Sequence, residues 1–155
     1  MKNIAGYALV FLAVFGYQYF TSADRDESGA IIDAGTVDAF SIKVGDCFDD
    51  VSATENISTI PAVPCGDPHD NETYAVFDVS VSSYPGRDEM ETMAMESCLE
   101  RFEGFVGVNY QESSLDIFPM FPSTESWAQN DREVVCALYD MNGEKLTGSV
   151  KGLAI

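Results

Sequence analysis

Apolar residues run from Ile4 to Phe20, interrupted only by Gln18, with Lys2 and the amino group ahead of them. At about 1.5 Å per residue a helix over this run is roughly 26 Å long. That falls slightly short of a hydrocarbon core of about 30 Å, and slight bilayer thinning closes the gap. Tyr17, Tyr19 and Phe20 cluster at the distal end, where an interfacial aromatic belt sits. Lys2 precedes the run and Asp24, Asp26 and Glu27 follow it, so residues 1–20 are predicted to be a transmembrane signal anchor with the N-terminus inside and the rest outside. Cleavage after Ala23 stays open, since Thr21-Ser22-Ala23 offers small residues where a signal peptidase needs them, and the remainder would then be secreted.

Residues 21–36 are small, polar and acidic and read as a linker to one exported domain over 37–155. Within that domain the period changes. Short strand-like pieces at Ser41–Phe48 and Ile60–Cys65 precede a β-branched and aromatic run, Glu72–Ser80, that reads as a central strand. Met90, Met93, Ala94, Cys98, Leu99, Phe102 and Phe105 then recur at helical spacing. Asp88 and Glu91 offer a capping box at the start, and Gly104 or Gly107 an end. Leu115–Phe118 predicts a further strand ended by Pro119. Glu133–Tyr139 and Lys145–Lys151 flank Asn142-Gly143 and predict a hairpin. The expected fold is α+β: one amphipathic helix on an antiparallel sheet of four or five strands, preceded by the transmembrane helix.

Composition sharpens this picture. The 155-residue chain carries 26 Asp+Glu against 8 Lys+Arg, a net charge of -18, which repels phosphate backbones and excludes nucleic acid as a partner. The four cysteines, Cys47, Cys65, Cys98 and Cys136, contain no Cys-x-x-Cys spacing, so neither a zinc knuckle nor a thioredoxin-type centre is indicated. An even number after an export segment predicts two disulfides. Three pairings are open, and Cys47–Cys65 with Cys98–Cys136 is preferred because each closes a moderate loop.

Candidate chemistry is sparse. The only histidine stands in Cys65-Gly-Asp67-Pro-His69-Asp70-Asn-Glu72, where Asp67, His69, Asp70 and Glu72 could ligate a metal. A disulfide-anchored turn accounts for the same residues. Asp24-Arg-Asp26-Glu-Ser-Gly29 opens like an EF-hand loop, but its twelfth position is Gly35 and not the acid that calcium requires. Serines lack a nucleophile-elbow or Ser-x-x-Lys context, and no Gly-rich phosphate loop is present. No enzymatic activity and no cofactor are expected. Trp127 reads as a packing residue, and Arg132 as one half of a structural ion pair.

Taken together, Val44-Gly-Asp-Cys47-Phe48, Val63-Pro-Cys65, Pro68-His69-Asp70, Glu72, Tyr74-Ala75, Tyr84-Pro-Gly86, Cys98, Pro122, Trp127, Asp131-Arg132, Val134-Val-Cys136 and Thr147-Gly-Ser149 resemble the exported domain of the bacterial septum-formation family. One departure is Asn130, where a glycine is expected before Asp131-Arg132. The resemblance implies a small membrane-anchored envelope protein, mostly actinobacterial, with an association with cell division and no enzymatic activity carried over. Trp127, Asp131 and Arg132 are motif residues without an assigned role. The expectation is a non-enzymatic envelope accessory that binds a protein or cell-envelope partner outside the membrane. The alternative is a metal- or small-ligand-binding module centred on His69.

Overall fold

The structure, a computed structural model, describes residues 22–51 and 57–155. The expected transmembrane segment lies outside them, and no helix among the described residues is long and apolar enough to cross a membrane. The described strands are β1 (Asp24–Arg25), β2 (Ile31–Asp33), β3 (Gly35–Asp38), β4 (Cys47–Phe48), β5 (Thr59–Val63), β6 (Asn71–Asp78), β7 (Leu115–Met120) and β8 (Glu133–Asp140). Two helices, α1 (Arg87–Val106) and α2 (Thr124–Ala128), complete the fold. Strands β1 and β2 form a small ribbon, and the other six make one antiparallel sheet in the order β3-β5-β4-β6-β8-β7.

Alternation along β8 divides the interior into two cores. Val134, Cys136 and Leu138 face α1 and meet its Ala94, Cys98, Phe102 and Phe105. Val135 and Ala137 face the other way and join Ile31, Val37, Ile42, Phe48, Ile60 and Ala62. This second core corrects the reading of residues 21–36 as a linker. Ile31 and Val37 are buried in it, and Arg25 makes a two-point contact with the buried Asp46 carboxylate, at 2.7 and 2.6 Å. That acidic window hid one apolar anchor, Ile31, and one cation that folds inward. The EF-hand-like opening belongs to the same ribbon, where the Asp26 carboxylate accepts from Ser28 N, Ser28 Oγ and Ala30 N and closes a turn.

Helix α1 follows its apolar stripe, with Met90, Ala94, Cys98, Phe102 and Phe105 buried, while Leu99 stays exposed. Its N-cap is Gly86 and not the expected Asp88 box; Asp88 and Glu89 instead occupy the first turn, beside the positive end of the helix dipole. Gly107 ends it at φ 92, where an added Cβ would lie 3.5 Å from the Gly152 backbone. The Tyr74 hydroxyl on β6 donates to Cys98 O at 2.8 Å, and the Cys98–Cys136 disulfide fixes the same turn of the helix to β8. The second disulfide, Cys47–Cys65, ties β4 to the turn after β5. These are the preferred pairings.

Two strand expectations change. Strand β7 runs through Pro119 to Met120, because it lies at the sheet edge, where a missing N–H costs no ladder bond. The hairpin around Asn142-Gly143 does not form. Both edges of β8 are already paired, to β6 and β7, so the chain turns at Gly143 (φ 72) and crosses to the His69 segment. There Leu146 makes one bridge with His69, and Gly148 N donates to Cys65 O at 2.6 Å.

Candidate functional site

The Asp67–Glu72 block splits on folding. His69 and Glu72 are wholly buried, and Asp67 is exposed. Asp70 turns outward to Lys145, 2.8 Å away, and accepts from Asp50 N. Burial pushes the Asp70 carboxyl up, but those two donors outweigh it and hold the carboxyl below its ordinary range. Asn71, next in the block, is also buried, and its amide donates to Asp50. Thus the structure brings together only two of the four residues expected as a ligand set.

The two that remain act as a latch for the C-terminal segment. His69 N and O exchange hydrogen bonds with Leu146, at 3.0 and 2.8 Å. The Glu72 carboxylate accepts from Ser149 Oγ at 2.5 Å and from Val150 N at 2.8 Å. His69 Nδ1 donates to the Asp67 carbonyl at 2.8 Å, which makes that nitrogen the protonated one; Nε2 is buried without a partner. Among the described residues, one group of potential metal ligands converges: Cys47, His69 and Glu72, with ligand atoms within 4.8 Å of one another. Cys47 is held in its disulfide, which leaves one imidazole and one carboxylate, fewer than the three or four ligands of a zinc site. The arrangement fastens a chain segment and leaves His69 no mobile proton-transfer partner.

A different part of the molecule is open. On the sheet face opposite α1 lies a groove of about 610 Å³. Phe40, Ile57, Met120, Phe121 and Val135 supply its apolar lining, and Glu125, Asp131 and Glu133 its charged positions. Four separated segments converge here: the turn after β3, the start of β5, the end of β7 with α2, and the start of β8. No single stretch of sequence carries enough of the groove to announce it.

Of the motif residues Trp127, Asp131 and Arg132, only Asp131 lines the groove. Ser123 and Ser126 form a reciprocal capping box that starts α2. Arg132 lies over the Trp127 ring at 3.4 Å and donates to the carbonyls of Trp127 and Asp131, so it stacks where an ion pair was expected. Tyr84 meets the same indole, centroid to centroid at 5.7 Å. Asn130 adopts φ 71, the left-handed conformation for which a glycine is expected, and asparagine tolerates it better than most residues. Asp131 Oδ1 then accepts from Glu133 N at 3.0 Å and sets the start of β8.

One acid here, Glu133, is held at a cost. Burial pushes the Glu133 carboxyl up, and the neighbouring Asp131 and Asp78 push it further. Because its folded pKa is raised, the charged form weakens the fold as pH climbs through the window from the ordinary carboxylate value to the raised one. Glu133→Gln is therefore expected to stabilise the protein at neutral pH by up to about 0.5 kcal/mol after solvent screening. Thermal melts at neutral pH should show the gain, and melts well below the carboxylate range should not.

A family model described as Septum formation matches residues 25–149. No curated protein and no solved structure matches the chain. The matched region begins at Arg25, which holds Asp46, and ends at Ser149, which holds Glu72. Both ends of the family domain are thus fastened to buried carboxylates of the central sheet.

Proposed function

The chain belongs to the septum-formation family, and from that premise we propose that it is a non-enzymatic, membrane-anchored accessory of the cell envelope that acts at the septum by binding a partner outside the membrane. The observation that carries this reading is the groove between β7, β8 and the turn after β3: it is open, amphipathic and formed in part by the motif residue Asp131. Among the described residues its lining holds no histidine, cysteine or lysine. The only histidine of the chain is wholly buried, and its Nδ1 donates to the Asp67 carbonyl. Two disulfides support an oxidising, extracytoplasmic setting, and the apolar run over residues 4–20 supports an anchor.

Time-lapse imaging tests the proposal, using the full chain expressed from its native locus with a C-terminal fluorophore that matures outside the membrane. The expected result is a peripheral signal that concentrates in a ring at midcell and follows constriction. A uniform peripheral signal through division would refute a septal role.

A further inference from the structure

We infer that the groove takes a cationic peptide segment of a partner protein, with one aliphatic or aromatic side chain seated between Phe40, Ile57, Met120 and Val135 and its flanking cations on Glu125 and Glu133. This inference rests on the recognition role proposed above and names the chemistry of the partner. Phe40 lines the groove and is 59% exposed, so its ring is free to meet a ligand. The charged side chains lining the groove are Glu125, Asp131 and Glu133, with no cation among them. The nearest cation in sequence, Arg132, is committed to Trp127 and does not line the groove.

Most of the neutral polar groups are already spent. Ser123 and Ser126 satisfy each other in the capping box, and Gln129 Nε2 donates to Glu125 O. Asp131 gives one carboxylate oxygen to Glu133 N. What remains for a ligand is apolar surface, carboxylate oxygen and the Ser58 and Asn130 side chains, a combination complementary to a side chain such as leucine or phenylalanine flanked by arginine or lysine. A net charge of -18 draws such a segment in and repels phosphate-bearing alternatives. A volume of about 610 Å³ suits one anchor and its neighbours, not a folded face.

The test is fluorescence anisotropy with the full chain in neutral-lipid nanodiscs and a fluorescein-labelled peptide of alternating arginine and leucine, with empty nanodiscs as the blank. Phe40→Ala is expected to weaken binding at least about tenfold, as loss of a central aromatic anchor does. Glu125→Gln with Glu133→Gln is expected to weaken it about tenfold and to flatten its salt dependence. Glu91→Gln with Glu96→Gln, which removes the same charge from the exposed face of α1, should change it less than about twofold. Replacing leucine by serine, or arginine by glutamate, in the peptide should abolish binding.

Equal losses from the α1 pair and the groove pair would overturn the inference by showing attraction to overall charge only. So would binding indifferent to Phe40→Ala, or no binding of the wild-type chain. A midcell ring together with no peptide binding would remove this occupant and leave the septal role standing. Peptide binding without a ring would do the reverse.

Discussion

Replacing Cys98 and Cys136 together by alanine should lower the stability of the folded domain by about 4 kcal/mol, the largest effect expected of any change considered. The bond closes a loop with a sequence separation of 38, and loop-closure entropy for a loop of that size is worth about 4 kcal/mol in the unfolded chain. Native-state packing adds to this. Both sulfurs are buried in the core between α1 and β8, among Phe102, Val134 and Leu138. Without the bond α1 keeps its apolar stripe, the Tyr74–Cys98 hydrogen bond and the stacking of Arg101 over Phe77 as ties to the sheet. Equilibrium urea unfolding followed through Trp127, the single tryptophan, measures the change. A loss below about 1 kcal/mol would mean that packing alone positions the helix.

The second large effect is at Glu72. Removing its carboxylate by Glu72→Ala is expected to cost about 3 kcal/mol, because Val150 N–H and Ser149 O–H both lose a buried acceptor and a void replaces the side chain. Glu72→Gln should cost only about 1 kcal/mol. The Ser149 hydroxyl can rotate to accept from the new amide, while the remaining carbonyl still accepts from Val150 N–H. Hydrogen exchange should show residues 146–152 opening far more often in the alanine variant than in the glutamine variant. Equal costs for the two variants would contradict the latch geometry.

Contiguity misled the reading of Glu72 and its neighbours. Asp67, His69, Asp70 and Glu72 lie within six positions, yet the turn before β6 sends Asp70 to Lys145 at the surface and Glu72 into the interior. A cluster in sequence became one surface ion pair and one buried fastening. Where a single element carried a repeated signal, the pattern was legible: the α1 stripe and the β-branched run of β6 both appear in the structure, and the preferred one of three open cysteine pairings is the one formed. Elements fixed by long-range partners were not. Ile31 buries itself because β5 and β4 bring Ile60 and Phe48 to it, which a polar window over residues 21–36 does not reveal. The failed Asn142-Gly143 hairpin has the same origin, since the occupancy of both β8 edges is decided by β6 and β7. The groove was least legible of all. Phe40, Ile57, Met120 and Glu133 come from four segments, and only Asp131, as part of a motif, pointed near it.

Separation of support from recognition is what this fold suggests. Buried carboxylates hold both ends of the family domain, at Arg25–Asp46 and at Glu72–Ser149, while the groove is lined by Glu125, Asp131 and Glu133 with no cation among its lining residues. The measurement that tests this division most directly is the midcell enrichment of full-length Phe40→Ala/Glu133→Gln against wild type and against Glu91→Gln/Glu96→Gln, at matched abundance. The account predicts a midcell ring for wild type and for the α1 control, and an even peripheral signal for the groove variant. A groove variant that still concentrates at the constricting midcell would contradict it.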